Sequence, residues 1–267
     1  MKNQIFKVSL LLSFAFLFFA CQKEEMEGSD IQSAEDASQS ENLMNSANDE
    51  AILAMYSSGS SSGNCPTVTW ASTPGTFPNT ITLDFGTGCT GTYGHTKSGK
   101  ILIEVTGELF SPGSIRTLTT ENFFVDDVQV EGTRTVTNLG NNEAEQMHWS
   151  VEVADAQLTF ADGKVVEWSA ARTRTLIEGQ STTETAEDDV YSITGGSQGV
   201  NRRGQSFTST ITSPLIKPMD CRWIVEGVRE VSSGDRSRTI DYGSGDCDNQ
   251  AVVTGTRGNS WNIVLRR

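Results

Sequence analysis

Few side chains in this sequence are suited to catalysis. The two histidines, His95 and His148, are too few for a three-histidine zinc site, and no Gly-x-Ser-x-Gly segment presents a nucleophilic serine. Asp and Glu are plentiful after residue 64. Two carboxylates that flank a sugar would suit glycoside hydrolysis, but the sequence does not give the distance between them in the folded protein. We therefore predict no catalytic residue and no cofactor, and keep a carbohydrate-active hydrolase as the alternative.

One acidic segment near the C-terminus has the chemistry of a cation site. Asp241, Asp246 and Asp248 lie close together beside Asn249, and oxygen ligands of this kind suit Ca²⁺. The spacing of an EF-hand is absent, and Asp and Asn also cap turns. We assign no metal and keep the three aspartates as calcium candidates.

A repeated Arg–Thr–aliphatic triplet supplies the other candidate site. It begins at Arg116, Arg134, Arg174 and Arg238. Residues i and i+2 of a strand share a face, so each Arg should lie on the side of its aliphatic residue. One interpretation pairs the arginines with glutamates of neighbouring strands, namely Glu104, Glu131, Glu152 and Glu167. The other is a guanidinium face for an acidic ligand, such as a uronic acid or a lipid phosphate.

The N-terminal segment has the features of an export signal. Lys2 and Lys7 precede an apolar run over 8–20, which is too short to span a membrane and is typical of a signal peptide over 1–20. The small residue before Cys21 resembles the lipobox of bacterial lipoproteins. That resemblance implies cleavage before Cys21 and acylation of this cysteine with palmitate-like chains, which hold a protein to a membrane.

The residues that follow Cys21 indicate where the lipoprotein resides. Residues 22–27 read Gln-Lys-Glu-Glu-Met-Glu, which resembles the export signal of surface-exposed lipoproteins of the Bacteroidota. The resemblance implies an outer-membrane lipoprotein on the cell surface. The alternative is that the acidic residues only keep a tether soluble.

Residues 21–64 are expected to form a lipidated acidic tether. Ser, Glu, Asp, Asn and Gln dominate this segment, and such a composition predicts disorder. Apolar residues near a 3.6-residue period predict one short helix at 42–56. The chain has a net charge of −14, which repels phosphate backbones and argues against a nucleic-acid partner.

Residues 65–267 are expected to form one all-β domain. Runs of alternating β-forming residues recur between Gly-containing turns, with no long helical pattern between them, which favours an antiparallel meander. We predict a single curved sheet or open barrel. The five tryptophans are expected to pack in its core, at Trp70, Trp149, Trp168, Trp223 and Trp261.

The remaining four cysteines accompany an internal repeat. Residues 84–88 and 241–245 both read Asp–aromatic–Gly–x–Gly just before a cysteine. An even number of cysteines without a Cys-x-x-Cys pair predicts two disulfides in an exported protein. Because each repeat has its own pair, we predict the bridges Cys65–Cys89 and Cys221–Cys247.

The C-terminal repeat also supports a family resemblance. Residues 241–248 read Asp-Tyr-Gly-x-Gly-x-Cys-Asp, which resembles a segment of uncharacterised surface lipoproteins of the Bacteroidota, over roughly 120–267. The resemblance implies no activity. We expect a non-enzymatic binding or structural component of the envelope, held to the membrane by acyl chains, with a glycan or another envelope protein as its partner.

Overall fold

The structure is a computed structural model that describes residues 19–56, 65–90 and 94–265, with the side chains of the helix from Ile31 onward. One helix, α1 (Phe19–Tyr56), precedes fourteen strands. The strands are β1 (Thr67–Trp70), β2 (Asn79–Asp84), β3 (Cys89–Thr90), β4 (Thr96–Val105), β5 (Ile115–Val125), β6 (Val128–Asn141), β7 (Met147–Thr159), β8 (Val165–Glu178), β9 (Val190–Val200), β10 (Ser206–Pro218), β11 (Glu226–Ser233), β12 (Arg236–Ser244), β13 (Gln250–Gly255) and β14 (Ser260–Val264).

The strands form one open antiparallel sheet. Each strand pairs with the next along the chain, except that β2 pairs with β4 directly and the short β3 pairs beside it. β1 and β14 are the two ends of the sheet. This arrangement confirms the predicted single antiparallel meander.

The inner face of the sheet, defined as the face that carries Ile81, Leu83, Ile101 and Ile103, forms the core. These four side chains are fully buried, and the residues between them are more exposed, as the period of two along a strand requires. All five tryptophans pack in or against this core, which confirms their prediction.

Helix α1 lies inside the sheet. Every residue from Asp36 to Ile52 is buried, whichever side of the helix it occupies, and α1 contacts strands as far apart as β4, β8 and β12. The segment between residues 29 and 58 contains no Gly or Pro and is rich in Ala, so its backbone favours a helix.

The prediction of a disordered tether is therefore wrong for this part of the chain. The helix predicted at 42–56 is present, but it begins at Phe19. Its polar composition is that of a disordered segment, and it folds because the sheet supplies partners for its charges. The rest of the predicted tether, residues 57–64, lies outside the described residues, as does most of the signal peptide.

The two copies of the repeat share a side-chain hydrogen bond, a buried aromatic ring and a disulfide. The carboxylates of Asp84 and Asp241 each accept a hydrogen bond from the backbone N–H two residues on, at 2.8 and 2.9 Å. The following aromatics, Phe85 and Tyr242, are buried in the core. Both predicted disulfides, Cys65–Cys89 and Cys221–Cys247, are present. The repeat thus caps a turn, places an aromatic ring in the core and closes a loop at each end of the sheet.

Among the described residues, no helix is both long enough and apolar enough to cross a membrane.

Candidate functional site

The four arginines of the repeated triplet lie on the inner face of the sheet. Arg116, Arg134, Arg174 and Arg238 are all buried. The glutamates proposed as their partners are exposed on the opposite, outer face, at Glu104, Glu131, Glu152 and Glu167. Because neighbouring residues of a strand point to opposite faces, the predicted cross-strand pairing of these arginines with these glutamates is wrong. Four of the five buried acidic groups come from α1 instead, and the fifth is Asp189.

Four carboxylates of α1 form ion pairs with cations of the sheet and its turns. The pairs are Asp36 with Arg202 (2.6 Å), Glu41 with Arg172 (2.8 Å) and Arg229 (3.5 Å), Asp49 with Lys217 (3.3 Å), and Glu50 with Lys97. Except for Arg202, every partner is almost fully buried. Breaking a buried pair of this kind by removing one partner costs about 3–5 kcal/mol, so the helix is held by its charges as well as by its apolar side chains.

Glu41 is at the centre of this network. Burial by itself would raise its pKa, but the positive charges of Arg172 and Arg229, with the hydrogen bond from Arg172, hold the pKa below its ordinary value. Burial would likewise lower the pKa of Arg229, and Tyr242 together with Glu41 hold it above the ordinary value. Glu41 and Arg229 are therefore charged at neutral pH.

The end of α1 is fixed by Asp189, which directly precedes β9. The hydroxyl groups of Tyr56 and Tyr191 both donate to Oδ2 of Asp189, at 3.1 and 2.8 Å. Burial is the main cause that raises the pKa of all three groups, so the tyrosines remain protonated donors. The guanidinium of Arg174 lies 3.6 Å from the ring centroid of Tyr191.

The cations of the interior outnumber its carboxylates. Among the described residues, eight buried Lys and Arg side chains face five buried Asp and Glu side chains, all of them at most 7% exposed. Lys97, Arg172, Lys217 and Arg229 belong to this set and were not predicted from sequence. Arg172 had a usable signal, since it lies two residues before Arg174 on the same face of β8.

The outer face of the sheet carries an open groove of about 630 Å³ across β7, β8, β9 and β10. Two cross-strand rows of side chains line it. The first row is Gln157, Glu167, Val200 and Ser206, and the second contains Ser169, Gln198 and Thr208. The groove is therefore lined by hydrogen-bonding groups together with apolar residues, which include Ala156, Val200 and Phe207.

A β-bulge adds a further carboxylate to this groove. The register of β7 and β8 shifts between Val153 and Ala156, and Asp155 within the bulge has a left-handed backbone with φ of 51°. Bulges re-aim side chains and are common beside binding sites, and left-handed residues other than Gly carry strain. Asp155 lines the groove together with Glu167.

The histidines have structural contacts. Nδ1 of His95 lies 2.7 Å from Oδ2 of Asp126, and Nε2 of His95 lies 3.1 Å from a guanidinium nitrogen of Arg222. These contacts join the turn between β5 and β6 to the connection between β10 and β11. Nδ1 of His148 lies 2.9 Å from the carbonyl oxygen of Gly140.

The calcium candidates make local backbone hydrogen bonds, Asp241 within β12 and the other two in the connection that follows it. Asp248 accepts a hydrogen bond from the N–H of Gln250 at 2.9 Å, as Asp241 does from Gly243, and the N–H of Asp248 donates to the carbonyl oxygen of Asp246. Within the described ranges, no group of three or more His, Cys, Asp or Glu side chains is arranged to hold a metal ion. The backbone of Cys21 belongs to α1, and its side chain is outside the description.

Comparison with known proteins gives no relative: no family model, no curated protein and no solved structure matches the chain.

Proposed function

We propose that this protein is a surface lipoprotein, anchored in the outer membrane by acyl chains on Cys21, that binds a glycan of its surroundings without catalysing a reaction. The observation that carries the binding role is the groove across β7–β10. Its volume of about 630 Å³ lies within the usual 300–1,000 Å³ of ligand sites. Its position on paired strands gives the ligand a rigid surface.

The lining of the groove favours a sugar over an apolar ligand. Carboxylates, carboxamides and hydroxyls point outward from it, in the rows that contain Glu167 and Gln198. Sugar hydroxyls donate to carboxylates and exchange hydrogen bonds with amides. Trp168 lies at the base of the groove and its side chain is buried in the core, so recognition would depend on hydrogen bonds rather than on stacking against an exposed ring.

The inner face of the sheet is covered by α1, which supports placing the ligand on the outer face. Helix α1 fills the inner face, and its carboxylates already neutralise several cations there. The arginine face therefore serves the fold, and the outer groove is the surface that remains for a ligand.

A glycan array probed with the mature chain tests the binding role. We expect binding that is lost in Glu167→Gln and retained in Glu152→Gln, a matched control because both glutamates are exposed on the outer face and only Glu167 lines the groove. Failure to bind any host, dietary or bacterial glycan would contradict the proposal, and equal loss in both variants would move the site away from the groove.

A protease that cannot enter intact cells tests the location. We expect it to remove the domain from whole cells, and we expect replacement of Lys23, Glu24 and Glu25 by Ala to protect it by leaving the lipoprotein inside the outer membrane. Protection of the wild-type protein in intact cells would overturn the surface assignment.

The alternative function is a carbohydrate-active hydrolase. The observation in its favour is that two carboxylates, Asp155 and Glu167, line one groove, as paired-carboxylate hydrolysis requires. Release of reducing sugar from a bound glycan, abolished by either Asp155→Asn or Glu167→Gln, would establish the hydrolase. Binding without release would establish the non-enzymatic role.

A further inference from the structure

The strands β6–β10 divide their charged side chains by sign. Every Lys or Arg in these five strands is buried on the inner face, namely Arg134, Arg172, Arg174 and Lys217. Every Asp or Glu in the same strands is exposed to solvent, namely Glu131, Glu152, Asp155, Glu167 and Glu178. The solvent-facing side of this part of the sheet therefore has negative charges and no strand cation to balance them.

The groove on the outer face lies within this acidic surface. Its lining includes two carboxylates, Asp155 and Glu167, and no Lys or Arg. Asp155 precedes Gln157 by two residues on β7, and Gln157 pairs directly with Glu167 on β8, so the two carboxylates border the same part of the groove. Neither of them forms an ion pair with a described residue. The groove thus presents two negative charges that the described part of the chain does not neutralise.

The charge of the groove restricts the sugars that suit it. A uronic acid or a sulfated sugar would bring a further negative charge beside two carboxylates, and like charges at short range repel each other. A neutral sugar would leave both charges uncompensated. A protonated amino group would neutralise part of this charge, and its three N–H donors form the stronger, charge-assisted kind of hydrogen bond with carboxylates.

We propose that the glycan bound in this groove contains free amino groups, and that a protonated hexosamine unit lies against Asp155 and Glu167. The proposal rests on the glycan-binding role of the groove and adds the class of sugar. The carboxamides of Gln157 and Gln198, which also line the groove, supply donors and acceptors for the hydroxyl groups of the same sugar.

Isothermal titration calorimetry with the full mature chain tests the proposal. Two probes of equal length and linkage are compared at about pH 6, where an amine is protonated: a β-linked glucosamine oligomer and its fully N-acetylated form. N-acetylation removes the positive charge and leaves the sugar backbone unchanged. We expect the glucosamine oligomer to bind at least about tenfold more tightly, since hydrogen bonds between charged groups contribute more than those to a neutral amide. Added salt should reduce this preference, because it screens charges near solvent.

The variant Asp155→Asn isolates the charge of one carboxylate. Asn is among the few residues besides Gly that adopt a left-handed backbone, so the variant keeps the shape of the bulge. It should weaken binding of the glucosamine oligomer about tenfold and leave the N-acetylated oligomer as weakly bound as before. Glu152→Gln is the matched control, because Glu152 is exposed on the same strand but does not line the groove. This control should keep the wild-type affinity for both oligomers.

The possible results separate the class of sugar from the glycan-binding role itself. Equal affinity for the two oligomers, tighter binding of the N-acetylated form, or an unchanged preference in Asp155→Asn would overturn the amino-sugar assignment. A glycan array on which the chain binds only neutral or uronic sugars would also overturn it and would leave the binding role intact. An array on which no glycan is bound would contradict both.

Discussion

The two faces of this sheet are made by the same strands but differ in the environment of their charged side chains. On the inner face, four of the eight buried Lys and Arg side chains form ion pairs with carboxylates of α1, namely Lys97, Arg172, Lys217 and Arg229. On the outer face, Glu104, Glu131 and Glu152 are exposed to solvent. Surface ion pairs contribute about 0–1 kcal/mol, whereas breaking a buried pair costs several times as much. The comparison teaches that charges inside this protein specify its fold and charges outside are available for binding.

The largest expected effect is the loss of the helix. A chain without residues 22–56 should show no cooperative unfolding transition. The truncation leaves buried cations without carboxylates and removes the centre of the core. Circular dichroism during heating measures this, and a synthetic peptide of residues 31–56 added in trans should restore the transition. A truncated chain that melts cooperatively by itself would show that the inner face does not depend on α1.

The next effect concerns a single carboxylate. Glu41→Gln should lower the free energy of unfolding by about 3–5 kcal/mol, because two buried arginines lose their counter-charge. Glu104→Gln on the outer face is the control, with an expected change within about 0.5 kcal/mol. Urea unfolding of both variants measures the difference. Similar losses at the two sites would remove the distinction between the faces.

Acid should weaken the inner face through the same carboxylate. The pKa of Glu41 is lower in the folded protein than its ordinary value of 4.5, so its contribution is complete above pH 4.5 and is lost as the pH falls through the folded-state pKa. Between pH 4.5 and more acidic values, the urea midpoint of the wild type should therefore fall more steeply than that of Glu41→Gln. Asp189, whose raised pKa acts in the opposite direction, is common to both chains and cancels in the comparison. Parallel pH profiles would contradict the assignment.

The smallest expected effect is on the outer face. Asp155→Ala should cost about 1 kcal/mol, since Ala is less tolerant of a left-handed backbone than Asp, and Asp155→Asn should be close to neutral in stability. Asp127→Ala is the control, because Asp127 is exposed and its backbone is not left-handed. Differential scanning calorimetry resolves the three. A loss of more than about 3 kcal/mol in Asp155→Ala would show that the bulge is part of the structural core.

Much of the sheet could be predicted from local patterns. Alternation and turn residues located nearly every strand, and the repeat with its own cysteines gave both disulfides. Alternation is interrupted within β7, where the bulge at Asp155 lies. A strand of two residues, such as β3, contains no alternation and cannot be located in this way.

The burial of α1 could not be predicted in the same way. Asp36, Glu41 and Asp49 have the composition of a solvated segment, and their burial becomes favourable only beside cations more than a hundred residues away. Alternation placed each repeated Arg with its aliphatic residue correctly, but it could not say that this shared face was the interior. Which face is buried depends on the match between charges of segments far apart in sequence, and a short stretch of sequence does not contain both partners.

The continuity of α1 has a mechanical consequence. At about 1.5 Å per residue, the helical backbone from Cys21 to Ser33 spans roughly 18 Å, and a helix keeps this length where a flexible coil would vary in length. With the lipid proposed on Cys21, the same helix that begins at the membrane ends inside the sheet. A force on the domain would act directly on the buried ion pairs of α1, because no flexible tether lies between them and the lipid. Such a force would therefore unfold the domain as it detaches the helix.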